Sequence, residues 1–76
     1  MEHKILNLEH GEFNVEIDVF YTEKYENVFE THSETVIYIY TYSVNITDEN
    51  GNRVEIPIIE NQYDKNYINE LILNDL

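Results

Sequence analysis

The sequence predicts an α+β domain: a four-stranded, mainly antiparallel meander with one C-terminal helix packed on one face and a short helical turn between strands two and three. Three observations carry this. Residues Phe13 to Val19 alternate apolar and polar without a break. Thr35 to Thr47 hold no charge and are rich in β-branched and aromatic residues. After Pro57 the apolar residues switch from a two-residue to a helical period.

The first strand is expected around Lys4 to Leu8, reversing at Glu9-His10-Gly11, where glycine takes the positive φ of a tight turn. The second puts Phe13, Val15, Ile17 and Val19 on one face and Asn14, Glu16 and Asp18 on the other. Tyr21 to Ser33, with Glu23, Glu26 and Glu30 around Tyr25, Val28 and Phe29, reads as one or two helical turns capped by Thr22, or as an acidic loop. The third strand spans Thr35 to Thr47, and Asp48 to Asn52 turns it back into a fourth, Arg53 to Ile59.

The register of that last hairpin follows from the pattern. A two-residue Asn50-Gly51 turn sets Val54, Ile56 and Ile58 against Thr47, Asn45 and Ser43, apolar against polar. A three-residue loop, Glu49 to Gly51 with Gly51 left-handed, sets them against Ile46, Val44 and Tyr42. The second is preferred. It makes Val36, Tyr38, Tyr40, Tyr42, Val44 and Ile46 the covered face and turns Ile37, Ile39, Thr41, Ser43 and Asn45 outward. Pro57, which donates no ladder hydrogen bond, suits an edge strand. Tyr63, Tyr67, Ile68, Leu71 and Ile72 form one stripe of a helix from about Asp64 to Asp75, which is expected to bury the tyrosine face.

Seventy-six residues allow one domain, 1–76, with a thin core that buries about 60% of the unfolded chain's surface and leaves no room for a deep active site. With 42% hydrophobic residues, seven Tyr and three Phe, the chain has the packing material to fold despite its charge. There is no cysteine, hence neither a disulfide framework nor a thiolate metal site. No segment approaches the roughly 20 apolar residues that cross a bilayer, and the start of the chain carries no basic, apolar leader, so the expected location is the cytoplasm.

No enzymatic signature emerges, and no cofactor is expected. His3, His10 and His32 lack ligand spacing. Asp48-x-Asn50-x-Asn52 resembles the opening of a calcium loop, but Arg53 stands where that loop needs glycine and Ile59 where it needs a bidentate glutamate. Paired carboxylates such as Glu16 and Asp18 lie on an exposed strand face, without the burial that would lift a carboxylate into the range of a general acid. Tyr38, Tyr40 and Tyr42 are spaced like a base-stacking platform but lack its basic surroundings, and packing under the helix is the expected role.

Sixteen acids against four bases give a net charge of −12, which repels phosphate backbones and anionic membranes and attracts basic protein surfaces. The expectation is a non-enzymatic inhibitor or regulator engaging a basic, nucleic-acid-binding protein as a nucleic-acid mimic. Alternate strand positions repeat about every 6.8 Å, twice the roughly 3.4 Å phosphate spacing along one DNA strand. The expected contact residues are Glu12, Glu16, Asp18, Phe20, Glu23, Glu26, Glu30, Ile37, Ile39 and Glu55, an apolar patch, extended by Ile59, among acids on the outer sheet face. The alternative is a homodimer formed through that patch, with the acidity serving solubility. Small size, acidity and heavy use of Asn, Ile, Tyr and Glu resemble, as a class, phage anti-defence proteins such as anti-CRISPRs and anti-restriction mimics, whose setting would be the host cytoplasm. No residue motif ties the chain to a named family.

Overall fold

The computed structural model describes residues 1–29 and 32–75, with residues 28 and 29 described by backbone alone. Strands β1 (Glu2–His10), β2 (Phe13–Phe29), β3 (His32–Thr47) and β4 (Arg53–Val54) form one antiparallel sheet in sequence order. Helices α1 (Pro57–Glu60) and α2 (Lys65–Asn74) follow. This is the expected α+β meander with its C-terminal helix.

Both short connections follow glycine. His10 pairs with Phe13 across a two-residue loop whose only positive φ is Gly11, +63°, at the first loop position, as in a type II′ turn. Between β3 and β4, Ile46 pairs with Val54 and Thr47 with Arg53. The Asp48 N–H donates to Asn52 O at 2.9 Å, closing the three-residue Glu49 to Gly51 loop. Gly51 is left-handed (φ +83°), and Asp48 Oδ1 accepts from the amides of Asn50 and Asn52, both at 2.9 Å. Nothing lies within 4 Å of a Cβ built on Gly51. Gly51→Ala is therefore expected to cost about 1 kcal/mol through backbone strain alone, read as a shifted urea midpoint at unchanged slope.

The core lies between one sheet face and the C-terminal segment. Val15, Ile17, Val19 and Tyr21 of β2 and Ile37 and Ile46 of β3 pack with Ile59, Tyr63, Ile68 and Ile72. Helix α2 starts where expected: Asp64 caps it, accepting from the Tyr67 amide at 2.9 Å, and Ile68 and Ile72 are fully buried. Asn69 Nδ2 donates to Ile37 O at 2.9 Å, and Lys4 pairs with Asp75, so the helix is tied to both β3 and β1. The Lys4 ammonium pKa is raised chiefly by its hydrogen bond to Asp75.

Three expectations are corrected. Residues 21–29 are not a helical turn or loop; β2 runs through them to Phe29, pairing Thr22 with Tyr38 and Tyr25 with Thr35. Glu2 opposite Tyr21 is the last β1–β2 pair, so beyond it β2 and β3 continue as a two-stranded arm. That arm explains an extent of 51 × 21 × 18 Å and a radius of gyration of 14.7 Å, where a compact chain of this length would give about 11 Å. The fourth strand ends at Val54, and Pro57 is not in an edge strand but occupies the first turn of α1, where a missing N–H costs nothing.

The third correction concerns the sheet faces. Phe20 pairs with Thr41 but Tyr21 with Ile39, so Tyr40 is an extra residue, a β-bulge in β3. The bulge reverses the alternation. Tyr42, Val44 and Ile46 face the helix as expected, but on the far side of the bulge Ile37 and Ile39 take the inner face, Ile37 at 4% exposure. Val36, Tyr38 and Tyr40 move to the outer face, with Tyr38 and Tyr40 exposed. The expected outer positions of Ile37, Ile39 and Ile59 are thus overturned; Ile59 is buried beneath the sheet. Isoleucine, with no polar atom, gains more from burial than tyrosine, whose hydroxyl needs a partner.

Candidate protein-docking face

Among the described residues no helix lies over the outer face of the sheet: α2 packs on the inner face, and residues 21–29 and 32–47 run as β2 and β3. Register fixes its rows. Glu9, Asn14 and Thr47 stand abreast, then Asn7, Glu16 and Asn45, then Ile5, Asp18 and Ser43, then His3, Phe20 and Thr41. Further along the arm come Thr22 with Tyr38, Lys24 with Val36, and Glu26 with Glu34.

Of the expected contact residues, Glu12 (in the β1–β2 turn), Glu16, Asp18, Phe20 and Glu26 come together on or beside this face. Glu23 does not: it pairs with Ile37 and shares the inner side of the arm. Glu55 is exposed but follows β4, off the sheet. Glu30 lies outside the described residues. The apolar members are Ile5, Phe20, Tyr38 and Tyr40, at 49, 38, 43 and 57% exposure, in place of Ile37, Ile39 and Ile59. Glu9 also belongs to the face and was not foreseen, because the first strand reaches His10 rather than stopping at Leu8; alternation carried one more step would have found it.

Local chemistry divides the face into two regions. Near the turns, Asn7, Glu9, Asn14, Glu16, Asn45 and Thr47 line an open depression of carboxylates and amides. Around the bulge, aromatic rings meet charged side chains. The His3 ring stacks on Phe20 with centroids 4.3 Å apart and 9° between planes, and its Nε2 contacts the Asp18 carboxylate. The Tyr38 hydroxyl donates to both Glu26 oxygens, at 2.8 and 2.7 Å, and Lys24 Nζ lies 5.4 Å from the Tyr38 ring centroid. Like-charged Glu26 and Glu34 oppose one another across the arm, a destabilising arrangement eased by the Tyr38 hydroxyl on one side and by His32, 3.5 Å from Glu34, on the other.

The hydrogen bond to Glu26, followed by desolvation and the carboxylate charge, raises the Tyr38 pKa above its ordinary value near 10. Burial raises Tyr21 and Tyr63 as well, with the Glu2 charge adding to the first and Tyr67 to the second. A raised folded-state pKa stabilises the fold below the unfolded value and ceases to do so as pH rises through the folded one. Stability is accordingly expected to fall above about pH 10. Glu26→Gln is expected to return Tyr38 towards ordinary ionisation, visible as one tyrosinate appearing earlier in an ultraviolet pH titration.

Of the four Lys and Arg residues, Lys4 is tied to Asp75 beside the helix, Lys65 opens α2, Arg53 lies in the short edge strand and Lys24 in the arm. None stands in the rows from Glu9 to Asp18. Among the described residues, no three His, Cys, Asp or Glu side chains are grouped to hold a metal, and no helix is long and apolar enough to cross a membrane. Comparison with protein-family models, curated proteins and solved structures finds no match to this chain.

Proposed function

We propose that the chain is a non-enzymatic inhibitor or regulator that docks its outer sheet face on the basic surface of a nucleic-acid-processing protein, in the manner of an anti-defence mimic. The observation that carries this reading is the uncovered face itself, where four exposed apolar or aromatic side chains sit among Glu9, Glu16, Asp18 and Glu26. Carboxylates steer a basic partner in and reject anionic ones, while the rings supply area that can be desolvated.

The mimicry rests on fewer charges than the sequence suggested. With Glu23 on the inner side, Asn14 ahead of Glu16 and Lys24 further along the outer row, the acidic run is Glu16 and Asp18 of β2, flanked by Glu12 in the turn and by Glu9 of β1. A face of that size suits a local basic patch better than a long nucleic-acid channel.

The test is capture by the immobilised chain. Nucleic-acid-binding proteins should be retained at about 0.05 M salt and released both by about 0.5 M salt and by added duplex DNA. Retention through both washes would contradict the proposal.

A further inference from the structure

Two places on the outer face repeat one chemistry: a ring, a carboxylate beside it and a nitrogen cation or imidazole against it. One is His3, Phe20 and Asp18; the other is Lys24, Tyr38 and Glu26. In the second, the ring is 43% exposed and the β-bulge places Tyr40, 57% exposed, on the same side two positions along. Each Glu26 oxygen accepts from the Tyr38 hydroxyl and keeps further lone-pair capacity for another donor. The Tyr38 ring already has a cation over it, supplied in cis by Lys24.

That cation is a lysine, which the site suits less well than an arginine. An ammonium is a compact, strongly hydrated point charge, whereas a guanidinium is planar, weakly hydrated, stacks on aromatic faces and forks onto a carboxylate. An exposed cation–π contact is worth only about two- to fivefold in an equilibrium, so a partner's side chain can displace Lys24.

We infer that Tyr38, Glu26 and the adjoining Tyr40 form a binding subsite for an arginine side chain of a basic partner protein, with Lys24 as its replaceable internal occupant. A guanidinium would stack on the Tyr38 ring, donate to the Glu26 carboxylate and lie within the aromatic surface that Tyr40 extends. This rests on the docking reading above and names the partner's chemistry.

The test titrates the full chain with oligo-arginine and oligo-lysine peptides of equal length at low salt. The arginine peptide should bind about fivefold more tightly, and Tyr38→Leu or Glu26→Gln should each bring that ratio close to one. Lys24→Gln should strengthen arginine-peptide binding more than Lys65→Gln, which removes the same charge from α2. Far-UV circular dichroism checks that the variants fold, and Glu26→Gln, an isosteric surface change, keeps the test alive if Tyr38→Leu does not. Equal binding of the two peptides, or equal effects of the two lysine variants, would overturn the arginine subsite while leaving the acidic docking face standing. Binding of neither peptide would contradict both.

Discussion

Ile37→Asp is expected to unfold or nearly unfold the domain, whereas deleting Tyr40, the residue that makes the bulge, is expected to leave it folded. Ile37 is 4% exposed and belongs to the core with Ile68 and Ile72. A carboxylate there forfeits the isoleucine's burial, about 1.5 to 3 kcal/mol, and adds a desolvation cost of several kcal/mol, against the roughly 5 to 15 kcal/mol that holds a small domain together. Tyr40 is 57% exposed and is the extra residue between the Phe20–Thr41 and Tyr21–Ile39 pairs. Without it those pairs follow one another directly, and Ile37 and Ile39 keep the inner face. Urea denaturation of the two variants checks this. A deletion variant as unstable as Ile37→Asp would show that the burial of Ile37 and Ile39 depends on the bulge itself.

Reversing Glu16 and Asp18 together, as Glu16→Lys with Asp18→Lys, is expected to abolish binding to a basic partner while leaving the fold intact. Both lie on the outer face with side chains directed away from the core, and the double change moves the net charge from −12 by +4 to −8, easing self-repulsion. Like charges brought together across an interface cost several kcal/mol; about 3 kcal/mol corresponds to on the order of a hundredfold loss of affinity. Reversal of Glu23 and Glu55, which lie off this face, should leave most of the affinity in place. Binding measurements at one fixed salt concentration compare the pairs. Equal losses would mean that bulk charge, not this face, governs association.

Much of the fold was legible because one face of each strand near the helix is buried. Alternation in Phe13 to Val19 tracks the core, the apolar match of Val54 to Ile46 selected the three-residue loop, and Asp64 with the Ile68 and Ile72 stripe marked the helix. The arm was illegible for the converse reason. Glu23, Lys24 and Tyr25 are all exposed, so no alternation is imposed there, and Tyr21, Tyr25, Val28 and Phe29 even mimic a helical stripe. Pairing with β3 decides the matter, and that is a non-local interaction.

The bulge was hidden by composition. From Val36 to Thr41 both alternating sets are β-branched or aromatic, so either face passes as a core. The one available signal was chemical: isoleucines at 37 and 39 against tyrosines at 38 and 40, of which the hydroxyl-bearing set belongs in water. The outer apolar patch was therefore foreseen in kind and misassigned in residues. Its acidic neighbours Glu16 and Asp18 lie on the near side of the bulge, where alternation from the core still holds.

The most direct test of the docking face is a side-chain NMR titration of the labelled protein with the oligo-arginine peptide, following the aromatic rings. The rings of Phe20, Tyr38 and Tyr40 on the outer face are expected to shift together, and to return as salt is raised, while those of Tyr63 and Tyr67, which pack edge-on at 5.3 Å on the helix side, stay in place. Shifts confined to Tyr63 and Tyr67, or shifts indifferent to salt, would place recognition elsewhere and contradict the assignment of the outer sheet face.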